Sequence, residues 1–128
     1  MKKLLLCLLL FFSVITLYGC NDNEQYMPEL NVNKLEELQE NIGPNYQIDL
    51  YLGKYNGYYV WFDAEILLAL GQVYVGEYKF VYPNTFHLYA YKDEVYDLRE
   101  VYNDGKLSDK DIKQIYEYYC YALKNNLI

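Results

Sequence analysis

Hydroxyl nucleophiles and histidine are scarce in this chain. Beyond the first 19 residues it contains one serine (Ser108), one threonine (Thr85) and one histidine (His87). Ser108 precedes an amphipathic stretch and is better explained as a helix cap, whose hydroxyl is engaged by the backbone. Catalysis of the Ser-His-Asp or Cys-His kind needs a nucleophile beside a base. We therefore expect no catalytic residue of that type, and the chain is not expected to be an enzyme.

Cysteine is equally sparse, with only Cys7, Cys20 and Cys120. Cys7 falls in a leader and Cys20 is a candidate for modification, so Cys120 is expected to stay alone as a small buried thiol. One histidine and one spare cysteine cannot close a zinc shell. Residues 104–111 partly match the spacing of a calcium loop, but Tyr102 stands where an early ligand belongs, and capped helices explain the segment. No metal and no cofactor are expected.

Basic residues are outnumbered two to one beyond the leader. Lys2 and Lys3 lie in the leader, which leaves 9 of the 11 basic residues against all 18 acidic ones, a net charge of −9. Such a domain is repelled by phosphate backbones, so no nucleic-acid partner is expected. Anionic lipid headgroups repel it as well, so attachment to a membrane would require a covalent lipid.

What the sequence does contain begins with a leader. Residues 1–3 carry two lysines, and residues 4–18 are apolar apart from two hydroxyl residues. The run is short for a membrane span, which needs about 20 residues. Its proportions are those of a signal peptide, and it ends in Leu17-Tyr18-Gly19-Cys20 before the composition turns polar.

This ending resembles the lipobox of bacterial lipoproteins, with Tyr18 where a smaller residue is usual. The resemblance implies cleavage between Gly19 and Cys20, and a diacylglyceryl group on the Cys20 thiol. Two acyl chains, of the palmitate type, anchor a protein stably. The expected location is the cell membrane, lipid-anchored and facing outside the cytoplasm. An ordinary signal peptide with a free Cys20 and an uncleaved signal anchor remain alternatives.

The rest of the chain divides into a polar tether, residues 20–32, and a single domain, residues 33–128. Asn33-x-x-Glu36 predicts a helix start, and Gly43-Pro44 ends that helix. Alternation from Tyr46 to Leu52 predicts a strand.

The dipeptide Asn56-Gly57 predicts a two-residue hairpin loop after that strand. A loop of this length sets Tyr55 opposite Tyr58. It also predicts two further pairs: Leu52 with Trp61, and Tyr51 with Phe62.

Three more strands and two helices follow. The strands are predicted at about 66–75, 78–82 and 86–91, although the apolar run Ile66–Leu70 is also compatible with a helix. Asp97 and Ser108 are placed as helix caps, and Gly105 suits the left-handed position between the two helices. The predicted fold is α+β: an antiparallel sheet of four or five strands, packed on one side by an N-terminal helix and two short C-terminal helices.

Residues 89–112 and 52–62 resemble segments of small exported bacterial domains. The C-terminal signature of that group runs approximately Leu-x-Glu-Ala-Tyr-x-x-Gly-x-Leu-Thr-x-x-Asp-Ile. This chain departs from the group's pattern at Glu94, where glycine is usual, and at Val101, where alanine is usual. The resemblance implies the architecture and leaves the activity open.

Tyrosine is the remaining candidate for function, because 18 tyrosines are more than one small core can bury. Exposed aromatic patches mark interaction sites. The predicted binding cluster on one hairpin face is Tyr51, Tyr55, Tyr58 and Phe62. The sequence therefore favours a protein- or peptide-binding module, with a carbohydrate-binding module as the alternative. A small hydrolase that uses Asp63 and Glu65 is the third hypothesis.

Overall fold

The fold has three helices and six strands in the part of the chain that the computed structural model describes, residues 27–28, 30–66 and 69–128. In chain order they are α1 (Val32–Ile42), β1 (Leu50–Tyr55), β2 (Tyr58–Ala64), β3 (Gly71–Val75), β4 (Tyr78–Tyr82), β5 (Phe86–Tyr91), β6 (Val95–Asp97), α2 (Leu98–Asn103) and α3 (Asp109–Lys124). Four strands form an antiparallel sheet in the order β1-β2-β5-β6, and β3 pairs with β4 in a separate hairpin. The predicted α+β fold is confirmed.

The tight turn between β1 and β2 forms where the dipeptide predicts it. Asn56 and Gly57 both have positive φ, at 50° and 84°, and Tyr55 lies opposite Tyr58. Positive φ at both central residues is the type I′ requirement, which matches the twist of the flanking strands.

A β-bulge at Gly53 changes the register farther from this turn. Gly53 pairs with Val60, but the next pairs are Tyr51 with Trp61 and Leu50 with Phe62. The predicted pair of Tyr51 with Phe62 is therefore wrong by one residue, and Leu52, which was predicted opposite Trp61, is the extra residue of the bulge. Gly53 has a φ of 117°, which accommodates the extra residue, and the bulge moves Tyr51 to the opposite face of the sheet.

Both faces of the four-stranded sheet are covered, each by a different helix. On β2, Val60 and Phe62 join the main core, which contains Ile112 and Ile115 of α3. Trp61 points to the other face. There it meets α1 in a second, smaller cluster of three buried residues: Leu38, Ile42 and Trp61. The expectation that all helices pack on one side is therefore wrong.

Side-chain caps set the helix starts. Asn31 caps α1 by accepting a hydrogen bond from the backbone N–H of Lys34 at 2.8 Å, so the capping residue lies two residues before the predicted cap, Asn33. Ser108 and Asp111 form the full capping box of α3, and Asp97 caps α2, as predicted. Gly105 has the expected positive φ, 75°.

The third strand is shorter than predicted. Gly71 pairs with Tyr82, the last residue of β4, so no β4 residue remains to pair with the chain before Gly71. Ile66 and Leu70 lie outside any strand and are exposed, and the prediction of a strand from Ile66 is wrong for them. Residues 67–68 of that prediction lie outside the described residues. The short strand β6 was not predicted.

Candidate functional site

Three of the four residues in the predicted binding cluster are core residues. The solvent-exposed fractions of Tyr55, Tyr58 and Phe62 are only 4 %, 8 % and 0 %. The Tyr55 hydroxyl donates to the carbonyl oxygen of Leu52 at 2.7 Å, which satisfies its polar tip inside the core. The prediction that these three rings form an exposed binding face is wrong.

Tyr51, the fourth member, is separated from the others by the bulge. It is half-buried on the face that α1 partly covers, beside Tyr59 of β2. The two ring centroids lie 6.5 Å apart, and the ring planes are inclined by 41°. The structure thus replaces the predicted cluster with a smaller tyrosine pair on the opposite face.

An open cleft of about 710 Å³ lies beside this pair. Its walls are Pro28, Leu30, Asn31, Lys34, Tyr51, Lys54 and Tyr59. The wall residues come from the segment before α1, the first turn of α1, and strands β1 and β2. The volume lies within the range of about 300–1,000 Å³ that small-ligand sites occupy.

Two lysines give this cleft a positive character. The Lys54 ammonium lies 4.7 Å from the centroid of the Tyr59 ring, a cation–π contact. Lys34 projects from α1 and is exposed. Neither the Lys34 nor the Lys54 ammonium forms an ion pair with another residue in the part of the chain that the structure describes. Both cations therefore face solvent in a domain whose net charge is strongly negative.

A smaller recess of about 220 Å³, lined by both apolar and polar residues, adjoins the cleft. Pro28, Leu30 and Tyr51 line both spaces. The recess adds Leu35, Ile48, Asp49, Leu50 and Tyr118. The carboxylate of Asp49 accepts the backbone N–H of Ala64 at 2.7 Å, so it is engaged by the protein. Polar and apolar surfaces thus adjoin within one depression.

A second polar group lies at the far end of the same sheet face. The Nε2 of His87 is hydrogen-bonded to the carboxylate of Glu65, and the imidazole stacks on Tyr89 with centroids 5.5 Å apart. Asp63 faces His87 across the strands and accepts the backbone N–H of Gln47 at 3.2 Å. Burial, and then the charges of nearby carboxylates, raise the pKa of Asp63 despite that hydrogen bond.

Asp63 and Glu65 are the two carboxylates of the hydrolase hypothesis. Asp63 lies in β2 and Glu65 lies one residue beyond the end of β2, and each carboxylate already forms a hydrogen bond with a protein group. Within the described ranges, no set of three or more His, Cys, Asp or Glu side chains is placed to hold a metal ion.

Cys120 is buried on α3 and disulfide-bonded, so the expectation of a lone thiol is wrong. Cys7 and Cys20 lie outside the described residues, as does the predicted lipobox at Gly19-Cys20. No helix in the described part of the chain is long and apolar enough to cross a bilayer.

Comparisons with known proteins give no family: no family model, no curated protein and no solved structure matches the chain. The resemblance to small exported domains remains a prediction.

One part of the cleft, the pair of Lys54 and Tyr59, follows from the hairpin register that the sequence predicts. A two-residue hairpin loop places Lys54 directly opposite Tyr59, and the structure has this pair. Lys34 could not be found in the same way, because its place depends on which face of the sheet α1 covers.

Proposed function

We propose that this chain is a lipid-anchored, extracytoplasmic binding module that takes a protein or peptide partner in the cleft beside Tyr51 and Tyr59. The observation that carries the proposal is that two tyrosines meet Lys34 and Lys54 in one open depression, and that neither lysine forms an ion pair with another described residue. Tyrosine contributes a large ring and a polar tip to interfaces, and it loses little conformational freedom on binding.

The anchor is proposed from the leader and from the cysteine that follows it. Pro28, in the cleft wall, stands eight residues after Cys20. An extended chain spans at most about 3.5 Å per residue, so a lipid on Cys20 would keep the cleft within about 30 Å of the membrane. The partner would accordingly be met near the membrane surface.

The proposed anchor requires the sulfur of Cys20. Its sulfur would form a thioether to the diacylglyceryl group, and a sulfur in a thioether cannot also form a disulfide. Cleavage before Cys20 would also remove Cys7, and the chain has only three cysteines, so in the lipidated protein a disulfide of Cys120 could form only with a cysteine outside the chain.

Mass spectrometry of the full-length product, expressed in a bacterium and alkylated under non-reducing conditions, tests the anchor. We expect an N-terminal peptide that begins at Cys20 and carries the lipid mass. In Cys20→Ser the lipid mass is expected to be lost. Recovery of an unmodified Cys20, or of a disulfide between Cys20 and Cys120, would contradict the proposal.

Sorting of a random ten-residue peptide display library against the purified full-length protein in detergent micelles tests the binding function. We expect enriched peptides whose binding is weakened at least tenfold by Tyr59→Ala, because aromatic anchors dominate interface energies. Tyr74→Ala is the matched control, since Tyr74 is 56 % exposed on β3 and outside the cleft. Equal binding by both variants, or no enrichment, would contradict the function.

Carbohydrate binding is less well supported by the geometry. A sugar stacks on an open ring face, but the Lys54 ammonium already lies over the Tyr59 ring. Saturable binding to a glycan array that free sugar competes, together with no enriched peptide, would favour this alternative.

A further inference from the structure

We infer that the partner of the cleft is an acidic peptide segment, an inference that rests on the proposed function and names its chemistry. A carboxylate of the segment would lie between the ammonium groups of Lys34 and Lys54, and an adjacent apolar side chain would enter the recess beside Leu35 and Tyr118.

Charge complementarity is the first argument. The domain beyond the leader has 18 acidic and 9 basic residues, yet the two charged side chains among the described residues of the cleft wall are both lysines. Two described carboxylates line the cavities that adjoin the cleft, and neither forms an ion pair with Lys34 or Lys54. Glu37 lines a small neighbouring cavity with Lys34, without an ion pair between the two, and Asp49 is engaged by Ala64. An acidic partner would be guided to this positive depression and repelled by the acidic surface around it.

The state of Lys54 is the second argument. Its ammonium is held over the ring of Tyr59, which limits the positions it can take before binding. A carboxylate that approaches the cleft meets a cation that this contact already favours in one position, so less conformational freedom is lost on binding.

The adjoining recess is the third argument, and it favours a peptide over a small anion. Leu35, Ile48 and Leu50 present apolar surface that an inorganic anion would leave uncovered. A peptide with an acidic residue next to an apolar one fills both spaces.

The peptide library again provides the probe, now with charge as the readout. We expect the enriched peptides to carry net negative charge and to combine Asp or Glu with an apolar residue. The double variant Lys34→Glu/Lys54→Glu is expected to weaken binding of a synthetic enriched peptide by at least about tenfold, and binding is expected to weaken with added salt.

Lys79→Glu/Lys110→Glu is the matched control, because it changes the net charge equally at two exposed lysines outside the cleft. We expect it to leave affinity within about twofold of the parent protein. Circular dichroism of both double variants checks that they fold.

Failure of the acidic partner and failure of the proposed binding function would give different results. Two results would overturn the acidic partner and leave the binding function intact, provided that Tyr59→Ala abolishes binding. The first is that the enriched peptides are neutral or basic. The second is that they bind both double variants equally. A library that yields no peptide dependent on Tyr59 would overturn both. Binding of an acidic glycan that depends on both lysines, without any enriched peptide, would overturn the assignment to a peptide.

Discussion

The hydroxyl of Tyr119 on α3 donates a 2.7 Å hydrogen bond to the carbonyl oxygen of Val81 on β4. Tyr119 is 1 % exposed, and its ring packs against three phenylalanines: Phe62, Phe80 and Phe86. One side chain thus connects the four-stranded sheet, the separate hairpin and the last helix.

Tyr119→Phe keeps the ring and removes only this hydrogen bond. We expect the free energy of unfolding to fall by about 1 kcal/mol, because the Val81 carbonyl loses a buried partner. Denaturation in urea, followed by circular dichroism, measures the change. Tyr74→Phe is the control, since Tyr74 is half-exposed, and it should change stability by less than about 0.5 kcal/mol. Equal effects of both substitutions would show that the bond to Val81 contributes nothing.

The bulge at Gly53 is predicted to be intolerant of any side chain. A Cβ at this position would lie 2.6 Å from the Tyr55 hydroxyl oxygen, and the residue has positive φ. Gly43 also has positive φ, but a Cβ there meets no atom within 4 Å. Gly53→Ala should therefore lower the free energy of unfolding by about 2 kcal/mol or more, and Gly43→Ala by about 1 kcal/mol. Thermal and urea denaturation of the two variants decide this, and a smaller effect at Gly53 than at Gly43 would contradict it.

Asp63 is predicted to make stability depend on pH. Its folded-state pKa is raised, chiefly by burial, so the charged carboxylate is less favourable in the folded protein than in the unfolded chain. Above that pKa the charge on Asp63 therefore lowers the free energy of unfolding. Asp63→Asn should therefore stabilise the protein at neutral pH by about 0.5 kcal/mol, a small value because solvent screens this partly exposed group.

The gain from Asp63→Asn should shrink as the pH falls through the raised pKa, and it should vanish about one pH unit below the ordinary aspartate pKa of about 3.9, where Asp63 is protonated in both states. Urea denaturation of parent and variant at a series of pH values measures the difference. A difference that stays constant from pH 7 to pH 4 would contradict the prediction.

Trp61 is predicted to report on the cluster beneath α1. It is the only tryptophan, it is fully buried, and it packs against Leu38 and Ile42. Leu38→Ala removes a buried side chain from this small cluster, at a cost of about 2–3 kcal/mol. Tryptophan fluorescence should then change at a lower urea concentration than circular dichroism, because α1 detaches before the rest unfolds.

Leu88→Ala provides the comparison, because Leu88 is equally buried but lies in the main core. There both signals should move together to lower urea. Coincident transitions in Leu38→Ala would show that the two clusters unfold as one unit.

Local features of this fold could be predicted from the sequence, because each depends on residues close in the chain. The turn at Asn56-Gly57 and the capping box of Ser108 and Asp111 are of this kind. The strand before Gly71 was predicted too long, since its end depends on where the partner strand stops at Tyr82.

The candidate site was harder to predict, because it depends on a single inserted residue. Alternation in β1 groups Tyr51 with Tyr55, but the bulge at Gly53 reverses the alternation between them. Strand alternation has a period of two, so one extra residue exchanges the faces. Burial of Tyr55, Tyr58 and Phe62 then follows from α3, which packs on their side of the sheet.

The two separate clusters also define how the domain would respond to tension. In the lipidated protein, in which the Cys20 sulfur is not part of a disulfide, a pull on the chain ahead of Met27 would be transmitted first to α1, whose buried contacts with the sheet centre on Trp61 rather than on the main core. The load can therefore strip α1 from its face while the sheet and α3 remain joined. Since Pro28, Leu30, Asn31 and Lys34 belong to the cleft wall, such stripping would dismantle the cleft and release whatever it holds.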